Sequence, residues 1–345
     1  MSGESVELLH IALPLLAPFR TAAGTHHTVE KLLVRVVTAT AEGWGECPVG
    51  LGPGSVDSVG EARDALRTGD ATAPPPATGA LETARLDAEL RTAGTSLASR
   101  LGATKTAVDA GVAIGIAPSV PALLDEVERR LGEGYRRVKL KIGPGWDVEP
   151  VTAVRDRFGG EVALQVDANG AYTLDDAEHL ANLDRFGLLM LEQPLPAEDL
   201  EGHAELARRV RTPVCLDESI TSEAQLDRAL TLGACSIVNV KPARLGGLLT
   251  AKRIHDRCVN AGVPVWCGGM LETGIGRSAN LALAALPGFT LPADLSASNR
   301  YFERDLTPPF VLDDGQLAVP DGPGIGVDPL PDVLDAVTVS REDVT

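Results

Sequence analysis

Aromatic side chains are scarce in this chain, 3% of 345 residues, and basic ones are outnumbered, with 31 lysines and arginines against 48 aspartates and glutamates. Nucleic-acid recognition needs a basic surface and stacking aromatics, so a formal charge of −17 excludes a nucleic-acid partner from the expectation. Long apolar runs are lacking too: the first one, residues 8–19, is interrupted by His10, Pro14 and Pro18. That excludes a membrane span and a secretory leader and leaves a cytoplasmic protein as the expectation. The five cysteines, Cys47, Cys215, Cys235, Cys258 and Cys267, contain no CxxC pair. Three lie in apolar strand-like runs, where a thiol behaves as a small hydrophobe, so neither disulfides nor a zinc site is expected.

Apolar residues make up 44% of the chain and charged ones 23%, enough hydrophobic material for a large core and too little charge for disorder. The length suits one barrel of roughly 200 to 250 residues with a smaller companion domain. Residues 7–14 and 30–39 alternate in strand fashion across a polar loop at 21–28, which predicts a small antiparallel sheet. Gly- and Pro-rich segments at 49–54 and 71–79 bracket helical stretches, the clearest at 80–101. From about residue 105 short, nearly all-apolar runs alternate with amphipathic helices, the pattern of parallel strands buried on both faces. These runs are 109–116, 137–142, 162–168, 188–193, 213–218, 236–241, 264–268 and 289–295. Between them, Thr173 with Asp176 and Ser222 with Gln225 have helix-capping spacing. The expected fold class is α/β: a closed (β/α) barrel over residues 105–300, an N-terminal α+β domain over 1–104, and a segment, 301–345, returning to that domain.

Five charged residues stand at the C-terminal ends of five successive predicted strands: Lys141, Asp167, Glu192, Asp217 and Lys241, at intervals of 26, 25, 25 and 24. That period is one strand, one helix and two loops, so all five belong to one barrel mouth. Taken singly, each motif has an ordinary reading. Lys139-Leu140-Lys141 reads as a strand with solvated lysines, Asp167-Ala168-Asn169 as a turn, Glu192-Gln193 and Asp217-Glu218 as helix caps, Lys241-Pro242 as a strand end. Solvation and capping, however, do not require charges at five consecutive strand ends in near-constant register, and a charge just inside a strand end is costly to bury.

Adjacent strands lie about 4.8 Å apart, which brings three carboxylates within reach of one ion. Oxygen ligands without histidine or thiolate favour Mg2+, or Mn2+ in its place. A proton next to a carboxylate is weakly acidic, and its removal near neutral pH requires a divalent cation to stabilise the developing negative charge. Lys141 and Lys241, on the second and sixth strands, flank the ligand set and serve as base or acid. Desolvation and a neighbouring cation such as Lys139 lower the pKa of a base lysine, and Glu218 is placed to orient one of these groups.

The carrying segments are Pro18-Phe19-Arg20-Thr21, Gly43-Trp44-Gly45-Glu46-Cys47, Val138-Lys139-Leu140-Lys141, Asp167-Ala168-Asn169, Leu191-Glu192-Gln193-Pro194, Leu216-Asp217-Glu218-Ser219 and Trp266-Cys267-Gly268-Gly269-Met270-Leu271-Glu272-Thr273. Over nearly its whole length the chain resembles the enolase superfamily, muconate-lactonising subgroup, in its o-succinylbenzoate synthase and N-succinylamino acid racemase branch. The resemblance implies a modified TIM barrel with a capping domain, magnesium on Asp167, Glu192 and Asp217, and Asn169 and Glu218 in support. It implies Lys141 and Lys241 as the acid/base pair, and Lys139, Arg244, Gly269 and Met270 as substrate contacts. The implied activities are dehydration to o-succinylbenzoate, in menaquinone biosynthesis, and racemisation of N-succinylamino acids. The implied partners are a small-molecule carboxylate and further copies of the chain.

The sequence departs from that pattern in three places. Residues 49–58 are Gly-rich and aromatic-free, Ala113 stands where a serine would be similar to the family, and the leading domain is shorter around 71–79. Dipeptide epimerisation and muconate cycloisomerisation would keep the same five residues. The former is disfavoured by Asp294-Leu295-Ser296 in place of an Asp-x-Asp pair, and a mandelate-type histidine base is excluded because no histidine follows His255. A non-catalytic scaffold would have no need of two lysines and three carboxylates together.

Overall fold

The computed structural model describes residues 3–21, 24–52, 54–69 and 73–344. Strands β1 (Ser5–Thr21), β2 (Gly24–Val37) and β3 (Glu42–Pro48) form an antiparallel sheet that is buried on both faces. On one face Leu8, Leu32, Val34 and Val36 pack against Ala77, Ala80, Ala84 and Ala88 of the helix Pro75–Ala93. From the other face Leu9, Ile11, Leu13, Val29 and Leu33 join the core of the barrel. The alternation at 7–14 and 30–39 is therefore a contrast between two apolar surroundings. The polar stretch expected as a loop at 21–28 instead continues the ladder: Phe19 pairs with His26 and Arg20 with Thr25, after a register shift beyond Pro14. Exposed strand residues such as His27 and Thr28 need no apolar face, which is why polarity misread them. Residues 22 and 23 lie outside the described residues, as do 70 and, within the two Gly- and Pro-rich segments, 53, 71 and 72.

The helix expected over 80–101 is two helices, Pro75–Ala93 and Leu97–Leu101, because Gly94 ends the first in a left-handed cap with φ 63°. Ser222 accepts from the Gln225 N–H and Thr173 forms a capping box with Asp176, both as the spacing predicts.

Strand β4 (Ala107–Asp109) precedes the barrel, whose parallel strands are β5 (Gly111–Ile114), β6 (Arg137–Lys141), β7 (Leu164–Asp167), β8 (Leu191–Glu192), β9 (Val214–Leu216), β10 (Ile237–Val240) and β11 (Val265–Cys267), neighbours in chain order. The expected first run, 109–116, is thus divided: Asp109 pairs with Gln316 of β12 (Gln316–Ala318), and the barrel strand starts at Gly111. The eighth run, 289–295, forms no continuous strand. It closes the ring through single parallel bridges, Phe289 with Val265 and Ala293 with Ala110. Pro292, without an N–H, interrupts the ladder between them. The last strand, β13 (Thr338–Asp343), pairs antiparallel with β1 and completes the first sheet in the order β13-β1-β2-β3. All five cysteines are free and buried. Among the described residues no helix is long and apolar enough to cross a membrane.

Candidate active site

Parallel pairing sets the five charges in one ring of strand ends. Lys141 is level with Asp167 and Asp167 with Glu192 across β6, β7 and β8, while Asp217 and Lys241 each follow their strand, β9 or β10, by one residue. The carboxylates of Asp167, Glu192 and Asp217 are at most 1% exposed. Lys141 Nζ donates to Asp167 Oδ2 at 2.6 Å and to Asn169 Oδ1 at 2.6 Å, and Asn169 Nδ2 donates to Glu218 Oε1 at 2.7 Å. On the far side of Glu192, Lys241 Nζ donates to Asp217 Oδ2 at 2.8 Å. Arg244 is buried and donates to Asp217 Oδ1 at 2.5 Å and to the Ile220 carbonyl at 3.2 Å.

Lys139 and Lys141 alternate onto the same inward face of β6 but differ in depth, with side chains 3% and 29% exposed. Lys139 Nζ lies 2.8 Å from Asp294 Oδ2, 3.3 Å from Glu192 Oε2 and 3.4 Å from Asp167 Oδ2, and 5.0 Å from the Trp266 ring centre. Burial opposes its charge, yet the carboxylates of Asp294, Glu192 and Asp167 outweigh that and raise its pKa well above the ordinary lysine value. It stays a cation. Burial likewise lowers Lys241 while Asp217 raises it, with a net rise. Burial is the largest influence on each carboxyl. It prevails at Glu192, helped by Asp167, and at Glu218, helped by Asp217, pushing both up. Arg244 and Lys241 overcome it at Asp217, and Lys141 and Lys139 at Asp167, so both are held below the usual carboxylate range.

Several residues of this site escape a reading that looks only at strand ends. Gln165 Nε2 donates to Glu192 Oε2 at 2.6 Å and Asn239 Nδ2 to Glu192 Oε1 at 2.8 Å, so both oxygens of that carboxylate are oriented by amides. Gln193 accepts from the backbone N–H groups of Asp217 and Ser219 and donates to the Leu195 carbonyl, stitching the loop after β8 to the end of β9. Asp294, noted in sequence only as half of a missing pair, is a partner of Lys139. A usable signal existed: Gln165 and Asn239 lie two residues before Asp167 and Lys241, hence on the same inward face of strands that are otherwise apolar. Among the described residues, three of the four non-glycine residues with positive φ, Asn169, Gln193 and Leu271, sit in loops that follow barrel strands, where strain tends to accompany function.

Gly268 and Gly269 are pressed against the site. A Cβ on Gly268 would lie 2.6 Å from Lys241 Cε, and one on Gly269 would lie 2.5 Å from the Asp294 carbonyl oxygen. Met270 is buried beside them.

The donor chemistry suits a hard divalent cation: three carboxylates, no sulfur, no imidazole. In the rotamers present, no three His, Cys, Asp or Glu side chains among the described residues are grouped to ligate one ion. The Lys139, Lys141 and Lys241 ammonium groups stand at the carboxylate oxygens instead. Five carboxylates, Asp167, Glu192, Asp217, Glu218 and Asp294, share the mouth and the barrel interior below it with five cations, Arg137, Lys139, Lys141, Lys241 and Arg244.

Residues 122–333 match the family described as enolase C-terminal domain-like. The chain belongs to the enolase superfamily. It is 53% identical to the N-succinylamino acid racemase of Amycolatopsis sp., covering 99% of both chains, and 44% identical to the o-succinylbenzoate synthase of Geobacillus kaustophilus, covering 94% of this chain and 93% of that one. Its structure superposes on a crystal structure of an enolase-superfamily member from Listeria innocua with a TM-score of 0.92 at 36% identity, covering 99% of this chain and 98% of that one. Lys141, the three carboxylates and Lys241 meet at the C-terminal end of the barrel strands, the end at which barrels of this kind carry their active sites.

Proposed function

We propose that this chain removes and returns the proton next to a substrate carboxylate, as an o-succinylbenzoate synthase with N-succinylamino acid racemase activity. One observation carries the reading: Lys141 and Lys241, on the second and sixth barrel strands, are each hydrogen-bonded to a different one of the buried carboxylates that flank Glu192. Asp167, Glu192 and Asp217 would hold Mg2+, once the lysines release their oxygens, and the cation would supply positive charge against the substrate carboxylate and so acidify the adjacent C–H. Lys139, pinned by Asp294, remains an ammonium group facing that same carboxylate. Lys141 is turned toward its partners by Asn169, which Glu218 holds in turn, and Lys241 is backed by Gly268.

In racemisation one lysine, as the free amine, takes the α-proton from one face while the opposite ammonium delivers a proton to the other. In dehydration a single lysine takes the proton and, as ammonium, returns it to the departing hydroxyl on the same face, while the other stays charged. A divalent cation on these carboxylates would add positive charge beside Lys139 and Arg244, which favours a carboxylate substrate such as an N-succinylamino acid. Arg244, Gly269 and Met270 complete the pocket in this reading. Residues 1–104 with 301–345 form its cap and 105–300 its barrel, a division supported by the pairing of β13 with β1.

The test is direct. Lys141→Ala and Lys241→Ala should each fold with an unchanged circular dichroism spectrum and lose about 10³-fold or more in racemisation of N-succinylamino acids and in o-succinylbenzoate formation. Chelation of magnesium should abolish both activities, reversibly. Wild-type rates in either variant would overturn the assignment.

A further inference from the structure

Lys31 is a fully buried lysine far from the ring of strand ends in sequence, on β2 of the antiparallel sheet. Its ammonium donates to the Met270 backbone carbonyl at 2.9 Å and lies 3.4 Å from Glu46 Oε1, a carboxylate of β3 that is 1% exposed. Glu46 in turn accepts from the Thr273 hydroxyl at 2.6 Å, from the Thr273 N–H at 3.2 Å and from the Gly276 N–H at 3.1 Å. It thus occupies the first turn of the helix Gly274–Ala284, where unpaired backbone donors favour an anion. Between the two anchors, Glu272 Oε1 accepts from the Met270 N–H at 2.6 Å and from Asn280 Nδ2 at 2.9 Å, and Leu271 is left in the left-handed region at φ 55°. The segment 268–273 is therefore tied at its carbonyl by Lys31, at its end by Glu46 and across its turn by Glu272. Its other side is the wall on which Lys241 rests, at Gly268.

We infer that Lys31 is a positioning residue: through the Met270 carbonyl it holds the 268–273 turn against Lys241 and so aligns that lysine, and not Lys141, with the substrate. A buried ammonium costs much more than an apolar side chain of the same volume unless its charge is used, and packing alone would be served by methionine. The inference rests on the function proposed above, because it assigns the two lysines to opposite faces of one substrate.

The experiment compares the wild type with Lys31→Met, Lys31→Arg and Glu46→Gln. The first measurement is α-hydrogen exchange in deuterated water, with magnesium present, for each enantiomer of N-succinylphenylalanine. The enantiomer served by Lys241 is identified as the one whose exchange is lost in Lys241→Ala. In Lys31→Met, exchange of that enantiomer should fall about tenfold while the other changes less than about threefold, and Lys31→Arg should recover part of the loss. A merely structural role would lower both enantiomers together, and that result overturns the inference. The second measurement, amide hydrogen exchange by mass spectrometry, needs no substrate. Protection over 268–276 should drop about tenfold in Lys31→Met with β6 to β9 unchanged, whereas unaltered protection there, or uniform loss, overturns the inference. Should Lys31→Met fail to fold, the isosteric Glu46→Gln must show the same local loss or the inference falls. If the wild type exchanges neither enantiomer, the proposed function fails, while the amide measurement still decides whether Lys31 holds the turn.

Discussion

Buried beside the loop that carries Gln193, the His203 ring has a fixed tautomer. Its Nδ1 faces the Asp199 carbonyl at 2.7 Å and must donate, so Nε2 accepts from the Leu195 N–H at 3.2 Å. Protonating Nε2 would break that bond, and burial lowers the pKa of this fully buried imidazole below its ordinary value. The sign follows: the unfolded chain takes up a proton near pH 6.5 that the folded chain refuses. Stability from this group is therefore complete above about pH 6.5 and is lost as pH falls toward the lower folded-state pKa, at no more than about 1.4 kcal/mol per pH unit. His203→Gln should be less stable at pH 7 but show a shallower loss between pH 7 and 5.5 than the wild type in urea unfolding; parallel curves would refute it. Residues of this kind mark the limit of reading a sequence one side chain at a time. The family resemblance is what singled out Asn169 and Glu218 as supporting groups; Asn169 accepts from Lys141 and donates to Glu218. Gln165, Asn239 and His203 act through space on neighbouring strands and loops, and no spacing along the chain states that their partners are Glu192 and Leu195.

At the scale of whole elements, the motif Gly43-Trp44-Gly45-Glu46-Cys47 has a mechanical meaning. A Cβ on Gly45 would lie 1.9 Å from the Ala80 carbonyl oxygen, and one on Gly43 would lie 2.1 Å from that of Ala84. The helix Pro75–Ala93 thus lies directly on the backbone of β3, with its alanine row filling the gap. Backbone cannot move aside as a flexible side chain can, so Gly45→Ala must lift helix from strand. Overpacking of this kind should cost about 3 kcal/mol, read as a lower urea midpoint with an unchanged slope. Because Glu46 follows directly, the same variant should also loosen residues 268–276. Elements were legible where periodicity and capping agreed, as at Thr173 and Ser222. They were not where polarity and strand pairing part company: residues 24–28 are extended because a backbone ladder tolerates polar side chains where the strand is exposed. The eighth barrel run is apolar and correctly placed, yet Pro292 denies it a regular ladder.

For the molecule as a whole, the order β13-β1-β2-β3 joins the two ends of the chain in one sheet. The barrel pattern was readable because its strands recur at a steady interval. The return of the tail to the first sheet is a long-range pairing, and only the lack of a ninth barrel unit hinted at it. β13 is a guarded edge: Arg341, Glu342 and Asp343 line it, and Arg63 Nε reaches Glu342 Oε2 at 3.2 Å while Arg63 Nη2 donates to Ser340 Oγ at 2.9 Å. Deleting residues 338–344 would uncover the backbone donors and acceptors of β1 between Glu7 and Ile11, on a strand rich in leucine. The shortened chain should melt about 5 °C lower and should self-associate, because an open apolar edge recruits other strands. Net charge decides when that happens. The full chain's formal charge of −17 becomes −16 when Arg341, Glu342 and Asp343 are removed, so the truncated copies still repel one another at low ionic strength, and raising the salt to about 0.5 M shrinks the screening length below 8 Å. Light scattering of the truncated chain should therefore rise with salt while that of the full chain stays flat. Association that weakens with salt would mean that the exposed edge is not what joins the copies.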